Sequence, residues 1–500
     1  MHIWTLLERA AALWGDRPAV FDGGAVATYA DVHRRAGALA AAWRAQGLGP
    51  GTRIAILDDN RGAFLEAYFA AAAAEVILCP LNTRLADAEV AAVLADAGAA
   101  LLLVRAEHSD KVAHLGVRTQ ALDAPLANPT AAAPPGRRAA DDVAHLYYTS
   151  GTTGAPKGVM LTHRNVCTHA LAAIAELGLS DADTWGHFAP MFHLADAWAT
   201  FAVTWVGGRH VMLPRFDAET ALQSIATHRV TTTNLVPTML GAMLAARSDA
   251  HDTSSLRLLL SGGAPIAPDV VRRVVNAFGC EYVQTYGMTE TSPYLTLSSL
   301  KAHHRALPLA DQINIRAKTG RPFLTVELQV VDEAGAPVPQ DAATVGEIRV
   351  RGPTVTTGYW RRPDATAAAF DNHGYLRTGD LAVIDAEGYL TIVDRKKDVI
   401  ITGGENVYST DVERVLYRHP AVLEAAVFGV PDPTWGEAVQ AAVALRSDAT
   451  ATAAELTALC REHLAGFKVP RTVHFLDALP RTGSGKLSKR ALRERFGGTA

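Results

Sequence analysis

The sequence has little cysteine. The four cysteines in 500 residues are Cys79, Cys167, Cys280 and Cys460. They are far apart and form no C-x-x-C pair, so neither a disulfide framework nor a structural zinc site is indicated. We therefore expect reduced thiols and a cytoplasmic protein.

An excess of charge of either sign is also missing. The chain has 47 basic and 51 acidic residues, a net charge of -4, and no long run of one sign. This balance indicates no polyanion-binding surface, and it excludes nucleic acid as an expected partner.

Long apolar runs are missing as well. No run in the sequence reaches the about 18 residues that a membrane-spanning helix needs. The N-terminal stretch MHIWTLLERAAALWGD has neither the basic segment nor the cleavage site of a signal peptide. Its apolar residues recur at helical spacing, which predicts an amphipathic surface helix on a soluble protein.

What is present is enough sequence for more than one core. The 500 residues, 49% of them hydrophobic, exceed the about 250 to 300 at which a single core stops growing. From residue 52 to about 300, apolar runs such as RIAILDD alternate with Ala-rich helical stretches, which is typical of an α/β domain with doubly covered, largely parallel sheets.

The pattern then changes twice. Residues 320–394 alternate in short strands with hairpin turns, which predicts a small barrel-like β subregion. Residues 395–500 mix helices and strands and predict a separate, mobile α+β domain. We therefore predict a multidomain α/β protein with an N-terminal domain at 1–394 and a C-terminal domain at 395–500.

The stretch YYTSGTTGAPKG, residues 147–158, is the first candidate site. Pro156 precedes its lysine and Gly158 follows it, so the Walker pattern of kinases and P-loop ATPases is not met. A strand-like VAHLYY precedes the stretch, and a helix with Thr162 as N-cap is predicted after it. A glycine loop between a strand and a helix can offer backbone N–H groups to phosphate, although composition alone also fits a flexible linker.

Six collinear motifs carry a resemblance to a known family. YTSGTTGAPKGVMLTHRN resembles the phosphate-binding signature of the acyl-adenylate-forming superfamily, which includes acyl-CoA synthetases, adenylation domains and luciferases. Five further segments resemble later motifs of that family and occur in the same order. They are SGGAPIAP (261–268), QTYGMTE (284–290), YLRTGD (375–380), DRKKDVIITGGENVYSTDVE (394–413) and PRTGSGK (480–486). The resemblance covers nearly the whole chain and is greatest to a free-standing acyl-CoA synthetase.

The resemblance implies a reaction in two steps. A carboxylate attacks the α-phosphate of ATP to give acyl-AMP and pyrophosphate, and the thiol of coenzyme A then displaces AMP. ATP, Mg²⁺, coenzyme A and a carboxylic acid are the implied ligands. The small domain is expected to turn about a hinge at Lys397 between the two steps.

By the same resemblance, the nucleotide contacts residues from all six motifs. Thr153 and Glu290 are implied at the metal-phosphate cluster, where hard oxygen ligands suit Mg²⁺, and Lys486 is implied to bridge the carboxylate and the α-phosphate. Lys489 and Arg490 have no such counterpart and are expected to be surface residues. The implied nucleotide-binding set is Thr149, Ser150, Gly151, Thr152, Thr153, Gly154, Lys157, Gly263, Ala264, Pro265, Gln284, Thr285, Tyr286, Thr289, Asp380, Arg395 and Lys486.

The acyl pocket is expected in the segments MFHLADAWATFAVTW, NLVPTML and SGGAP. Its apolar lining favours a medium- to long-chain fatty acid or an aryl-propenoic acid over a dicarboxylic acid. Asp196 lies in the first segment and leaves amino-acid activation open. The implied lining residues are His193, Asn234, Val236, Gly262 and Gly287.

The acceptor is expected to be coenzyme A. Gly403 and Gly404 would let the pantetheine arm pass close to backbone, and Trp435 would pack along it, with a core position as the alternative for Trp435. No carrier domain adjoins the chain as given, which favours coenzyme A over a carrier protein. An adenylating enzyme that loads a carrier protein, a non-catalytic nucleotide-binding relative and a luciferase-type oxidative enzyme stay open, and a homodimer is compatible with the sequence.

Overall fold

The chain divides into two compact units. A computed structural model describes residues 1–124, 126, 128–134, 136, 139–150, 156–481 and 487–497. The first unit comprises Met1–Leu328 and Val350–Leu376, and the second comprises Gln329–Arg349 and Arg377–Ala500. The boundary at residue 394 and the hinge at Lys397 stay predictions.

The first unit contains two sheets with mainly parallel strands. Its strands are β1 (Pro18–Asp22), β2 (Ala25–Thr28), β3 (Arg53–Leu57), β4 (Ile77–Pro80), β5 (Leu101–Val104), β6 (Thr119–Ala121), β7 (Val143–Ser150), β8 (Pro156–Thr162), β9 (Thr184–His187), β10 (Arg209–Met212), β11 (Thr232–Leu235), β12 (Leu258–Ser261), β13 (Glu281–Gly287), β14 (Tyr294–Leu297) and β15 (Arg321–Pro322). One sheet has the order β15-β14-β13-β12-β11-β9-β10-β1-β2, and the other has the order β6-β5-β3-β4-β7-β8.

The helices of the first unit cover these sheets, as predicted. They are α1 (Ile3–Trp14), α2 (Tyr29–Ala45), α3 (Gly62–Ala74), α4 (Asp87–Ala97), α5 (Ala106–Val112), α6 (His163–Leu177), α7 (Leu194–Val206), α8 (Ala218–His228), α9 (Pro237–Ala246), α10 (Pro268–Phe278), α11 (Leu309–Arg316) and α12 (Pro363–Ala369). α1, α2 and α3 pack on one another, and α1 and α6 pack on α7. α3 is buried along nearly its whole length, which agrees with its apolar sequence, in which Glu66 is the single charged residue.

The first helix agrees with its prediction. α1 buries Ile3, Leu6, Leu7 and Ala10 on one side, while Leu13 is exposed. Among the described ranges, no helix combines the length and apolar character needed to cross a membrane.

The second unit combines a meander of strands with a small α+β body. Its strands are β16 (Glu327–Val331), β17 (Gly346–Arg351), β18 (Leu376–Ile384), β19 (Leu390–Arg395), β20 (Ile400–Thr402), β21 (Glu405–Val407), β22 (Val422–Asp432), β23 (Gly436–Leu445) and β24 (Thr472–Phe475), and its helices are α13 (Ser409–Leu416), α14 (Ala453–His463) and α15 (Lys489–Phe496). The first residues of β16 and β18 and the last residues of β17 belong to the first unit.

The strands of the second unit form two different sheets. β16 to β19 form one sheet in chain order, while the other has the order β21-β20-β23-β22 with β24 on β23. The second sheet has an apolar core of its own, built around Val427, Val439 and Leu456. The predicted mixture of a large parallel α/β part and a separate α+β part is confirmed.

Candidate active site

The candidate phosphate loop connects two strands that pair with each other, β7 and β8, called the β7–β8 hairpin. β7 and β8 are antiparallel, and Thr149 lies opposite Lys157. The predicted order of strand, loop and helix is therefore wrong, because α6 begins only after β8, with Thr162 as its N-cap. Lys157 is thus carried by a paired strand.

Part of the predicted nucleotide site lies outside the described residues. Its roles for phosphate, metal and carboxylate stay predictions. The groups concerned are Gly151, Thr152, Thr153, Gly154, Lys486 and the side chain of Ser150.

Residues 353–362, called the 353–362 segment below, run along the outer side of β8. The Met160 N–H donates to Gly358 O at 3.0 Å, and the Trp360 N–H donates to Gly158 O at 2.8 Å. A Cβ on Gly158 would lie 3.0 Å from Tyr148 Cζ and 3.3 Å from Trp360 Cβ. Glycine at position 158 therefore permits the close approach of this segment.

The 353–362 segment brings Tyr359 between two predicted site residues. The Tyr359 hydroxyl donates to Glu290 Oε1 at 2.9 Å, and Lys157 Nζ lies 5.4 Å from the centre of the Tyr359 ring. The structure thus gathers a carboxylate and an ammonium around one aromatic side chain.

Glu290 has the chemistry of a magnesium ligand. It belongs to the short 3-10 helix Thr289–Thr291, and its backbone carbonyl accepts from the Thr356 N–H at 2.7 Å. Only 7% of the residue is exposed. A carboxylate is the hard oxygen ligand that Mg²⁺ takes alongside phosphates and water, so the donor fits the implied metal.

The other predicted residues of this unit lie in or just after parallel strands of the nine-stranded sheet. β9, β11, β12 and β13 are mutually parallel in that order. Their carboxyl ends therefore share one edge of the sheet, which is where open α/β sheets bind ligands. His193, Val236 and the loop after Ser261 all follow such ends, so segments far apart in sequence meet there.

The predicted adenine site is built on β12 and β13. Gly263, Ala264 and Pro265 are exposed just after β12, and the Gln284 side-chain amide donates to Ala264 O at 2.9 Å. Gly263 has a φ of +83°, a conformation that favours glycine. The loop therefore presents backbone to the solvent side of the sheet edge.

Glycines also make the neighbouring backbone approach possible. A Cβ on Gly262 would lie 2.3 Å from Thr285 Oγ1, and one on Gly287 would lie 2.0 Å from Pro293 O. Tyr286 and Thr289 are partly buried beside them. Packing alone therefore excludes larger residues at positions 262 and 287.

The predicted acyl pocket is centred on the start of α7. His193 caps this helix and is partly buried. The Asn234 amide donates to Ala195 O, and Val236 Cγ1 would be 3.7 Å from a Cβ on Gly263. Ala195 is exposed although Leu194 and the residues from 196 to 204 are buried. The first turn of α7 therefore borders open space at this sheet edge.

Asp196 does not face that space. Its Oδ2 lies 2.5 Å from His187 Nδ1 and its Oδ1 accepts from Trp185 Nε1 at 3.1 Å. His187 Nε2 is in turn 2.9 Å from His210 Nδ1, and Asp196 is fully buried. Because both carboxylate oxygens have partners inside the core, Asp196 is not placed to bind the amino group of a substrate.

Asn60 holds the chain that leads to His193. Its side-chain amide donates to His187 O at 2.9 Å and Ala189 O at 2.7 Å, and its oxygen accepts from the Met191 N–H at 2.7 Å. This buried residue was not predicted from the sequence. It follows β3, so its contacts with a segment after β9 depend on the tertiary fold.

In the second unit, the structure brings the predicted ribose pair together. Asp380 and Arg395 are partners in the register of β18 and β19, and Arg395 Nε lies 3.2 Å from Asp380 Oδ1. Asp380 is 7% exposed, whereas Arg395 and Lys397 are exposed. The hairpin thus keeps an acceptor carboxylate and a guanidinium side by side.

The predicted coenzyme A residues are also neighbours. The Gly403 N–H donates to Trp435 O at 2.8 Å, and a Cβ on Gly403 would lie 2.8 Å from Trp435 Cε3. Gly403 and Gly404 both have positive φ. Trp435 is 45% exposed, so the alternative of a core position is wrong, and Arg471 stacks on its ring at 5.0 Å.

Lys489 differs from its prediction as a surface residue. Its ammonium lies 2.8 Å from the Glu413 carboxylate, with both side chains largely buried, and it donates to Ser409 Oγ. Arg490 is exposed, as expected.

Comparison with known proteins identifies the family. The AMP-binding enzyme family matches residues 7–360, and the AMP-binding enzyme C-terminal domain matches residues 411–486. The chain belongs to the AMP-binding enzyme family, which confirms the resemblance found in the motifs.

Curated relatives align over nearly the full chain. A feruloyl-CoA synthase of Amycolatopsis is 41% identical over 494 residues, 98% of this chain and of that protein. A long-chain-fatty-acid–CoA ligase of Thermus thermophilus is 38% identical, over 99% of this chain and 96% of that protein.

Solved structures agree with these relatives. The o-succinylbenzoate coenzyme A synthetase of Bacillus subtilis, in complex with its acyl-adenylate intermediate, has a TM-score of 0.88 and 33% identity, covering 100% of this chain and 99% of that chain. The same synthetase in complex with ATP and magnesium has a TM-score of 0.86 and 33% identity, covering 99% of both chains.

Proposed function

We propose that this protein is an ATP-dependent acid–CoA ligase. Its membership of the AMP-binding enzyme family and its similarity to CoA ligases along the whole chain support this function. The observation that carries the proposal is the placement of Lys157 and Glu290 around Tyr359 beside strand β8.

The proposed reaction is the one that the family resemblance implies, and it has two steps. An oxygen of the substrate carboxylate attacks the α-phosphorus of ATP, the bond to the bridging oxygen of the β-phosphate breaks, and pyrophosphate leaves. The sulfur of coenzyme A then attacks the acyl carbon, the bond from that carbon to the AMP oxygen breaks, and AMP and the thiol proton leave.

The protein's part in the first step is electrostatic. Lys157 offers positive charge to the phosphates on a strand that pairing holds in place, and donors fixed before reaction stabilise developing negative charge efficiently. Glu290 would hold Mg²⁺, which supplies neutralisation of phosphate charge when bound. Lys486 would bridge the carboxylate and the α-phosphate, and Asp380 with Arg395 would hold the ribose.

The acid is proposed to be a monocarboxylic acid with an aromatic or long apolar body. Val236, Gly262 and Ala195 belong to the predicted pocket, and none of these three residues offers a cation to pair a second carboxylate. Aryl-propenoic acids and medium- to long-chain fatty acids fit this lining. The names of two relatives, a feruloyl-CoA synthase and a long-chain-fatty-acid–CoA ligase, correspond to these two classes of acid.

Coenzyme A is proposed as the acceptor of the acyl group. The exposed Trp435 ring and the glycines at 403 and 404 support an extended thiol arm along this surface. We further propose that the C-terminal domain turns about Lys397 between the steps, and that the enzyme acts in the cytoplasm, with a homodimer as the candidate assembly.

A panel of acids tests this proposal. Purified protein with ATP and Mg²⁺ is incubated with ferulate, cinnamate, octanoate, palmitate, malonate and an amino acid, with and without coenzyme A. We expect pyrophosphate release with an aromatic or fatty acid and a thioester once coenzyme A is added. No pyrophosphate with any acid would contradict the enzymatic function, whereas pyrophosphate without thioester would contradict only the acceptor.

The role proposed for Lys486 has its own test. Lys486→Ala should reduce pyrophosphate release by at least about a hundredfold, the scale of one removed transition-state donor, and should leave thioester formation from supplied acyl-AMP nearly unchanged. Arg490→Ala, an exposed cation on the following helix, is the matched control. Equal loss in both half-reactions would show that Lys486 acts in some other way.

A further inference from the structure

Tyr359 is tied to both sides of the candidate phosphate site through its backbone. Its neighbours Gly358 and Trp360 are hydrogen bonded to β8 on either side of Val159, the residue that forms a β-bridge with Tyr359 itself. Two residues before Gly358, the Thr356 N–H donates to Glu290 O at 2.7 Å. The backbone around Tyr359 thus joins the strand that carries Lys157 to the turn that carries Glu290.

The side chain of Tyr359 repeats this connection. Its hydroxyl donates to Glu290 Oε1 at 2.9 Å, which fixes the rotation of a carboxylate that could otherwise turn about its terminal bond. A phenol is protonated at neutral pH and an ionised carboxylate only accepts, so the Tyr359 hydroxyl is the donor of this pair.

The ring of Tyr359 faces the second partner. Lys157 Nζ lies 5.4 Å from the ring centre, within the about 6 Å over which an ammonium is attracted to an aromatic face. The Tyr359 side chain has only two rotatable bonds, and it is fixed by its backbone at β8 and by its hydroxyl at Glu290. It can therefore restrict the distance between the Lys157 ammonium and the Glu290 carboxylate more than those two flexible side chains could alone.

We propose that Tyr359 is a positioning residue, which orients Glu290 toward the magnesium of bound ATP and Lys157 toward its phosphates. The proposal rests on the proposed function. Its particular claim is that the hydroxyl serves the metal ligand and the ring serves the lysine. Two substitutions separate these parts, because Tyr359→Phe removes only the hydroxyl and Tyr359→Leu removes the ring as well.

A matched control exists in the same unit. Tyr375 also donates its hydroxyl to a carboxylate, that of Glu327, but Glu327 is exposed and outside the candidate site. Tyr375→Phe therefore deletes the same kind of hydrogen bond where no metal is expected.

The test measures metal binding without turnover. Mn²⁺ replaces Mg²⁺, α,β-methylene-ATP replaces ATP, and electron paramagnetic resonance gives the free Mn²⁺ at each protein concentration. We expect Tyr359→Phe to weaken Mn²⁺ binding by about tenfold or more, the range for lost partners of metal ligands. Tyr359→Leu should in addition weaken binding of the nucleotide without metal, and Tyr375→Phe should change neither.

The outcomes separate the inference from the proposed function. If wild-type protein binds no Mn²⁺ with the nucleotide, the proposed function fails and the inference with it. If wild type binds and Tyr359→Phe binds within twofold of it, only the inference is overturned.

A double substitution tests whether Tyr359 acts through Glu290. Glu290→Gln and Tyr359→Phe act on one interaction, so the combined loss in Mn²⁺ affinity should be smaller than the product of the two separate losses. Independent effects would show that Tyr359 does not act through Glu290. Circular dichroism on each variant confirms that the compared proteins are folded.

Discussion

The ammonium of Lys489 lies 2.8 Å from the carboxylate of Glu413, and both side chains are largely buried. Glu413 Oε1 also accepts from the Val427 N–H at 2.9 Å. Burial raises the pKa of Glu413, and the charge of Lys489 acts against that rise. The pair fastens α15, which follows the PRTGSGK motif, to α13 and β22 in the second unit.

Removal of Lys489 should therefore destabilise the second unit. Lys489→Ala leaves Glu413 as an unpaired buried carboxylate, a loss of about 3 kcal/mol or more in the free energy of unfolding. The measurement is urea unfolding of the full chain at neutral pH. Arg490→Ala is the control, since Arg490 pairs with Glu494 on the exposed side of α15 and such pairs contribute about 0.5 kcal/mol. Equal effects of the two variants would contradict a structural role of the buried pair.

Lys489 also shows where sequence reasoning fails. A lysine beside a Gly/Ser stretch resembles a surface residue, and its partner Glu413 lies in another helix with nothing in the local sequence to connect them. Asp380 and Arg395 could be predicted as a pair, because each belongs to a family motif and the turn DAEG between them indicates a hairpin. The motifs thus predicted the candidate ligand-binding residues, but not the residues whose packing and ion pairs hold them in place.

The same limit applies in the first unit. The alternating strands, α1 and the cap at Thr162 follow from local patterns, and all are present. β8 was missed because its seven residues run directly into the N-cap of α6, so no turn signal separates strand from helix. Tyr359 and Asn60 were missed since their partners are distant in sequence, and only tertiary packing brings them together.

Gly158 should not tolerate a side chain. In Gly158→Ala the new Cβ would press on the Tyr148 ring and on Trp360 Cβ, at 3.0 and 3.3 Å, and overpacking of this kind costs about 1–3 kcal/mol. Displacement of the 353–362 segment also moves Tyr359, so we expect pyrophosphate release to fall by at least about tenfold, the equivalent of 1.4 kcal/mol.

Gly241 provides the comparison for this prediction. It lies within α9, and an added Cβ would have no atom within 4 Å apart from its chain neighbours and the backbone of the helix itself. Gly241→Ala should keep full activity and gain about 0.4–1 kcal/mol in stability. The two variants are compared by thermal unfolding and by pyrophosphate release, and a Gly158→Ala protein as active as Gly241→Ala would disprove the packing argument.

Asp58 should make stability depend on pH. It follows β3 and is buried, its Oδ1 accepts from the Asp59 N–H at 2.8 Å, and burial raises the pKa of Asp58 to about 7. Between about pH 4, the usual value for aspartate, and pH 7, the folded chain therefore keeps a proton that the unfolded chain has released. The free energy of unfolding should fall as the pH rises, by up to about 1.4 kcal/mol per pH unit.

Asp58→Asn isolates this contribution. Asparagine keeps an oxygen for the Asp59 N–H but cannot ionise, so the variant should lose less stability than wild type between pH 5 and pH 8, values that bracket the pKa of about 7. Urea unfolding at several pH values gives the two slopes. Identical slopes would show that Asp58 does not titrate in this range.

The Trp435 surface should matter for the second half-reaction alone. Trp435 is 45% exposed. Its backbone carbonyl accepts from the Gly403 N–H, and the Arg471 guanidinium lies 5.0 Å from the centre of its ring. A large ring held in this way offers a preformed face to the thiol arm, and its loss should raise KM for coenzyme A by about tenfold, or 1.4 kcal/mol.

Trp435→Ala is compared with Phe475→Ala, which removes another exposed ring of the same unit, 42% exposed. Pyrophosphate release without coenzyme A should be unchanged in both variants, because neither ring belongs to the predicted nucleotide site. Trp435→Phe should recover most of the affinity, since a phenyl ring still offers an apolar face. A rise in KM for ATP equal to that for coenzyme A would instead place Trp435 in the adenylation step and would contradict its proposed contact with coenzyme A.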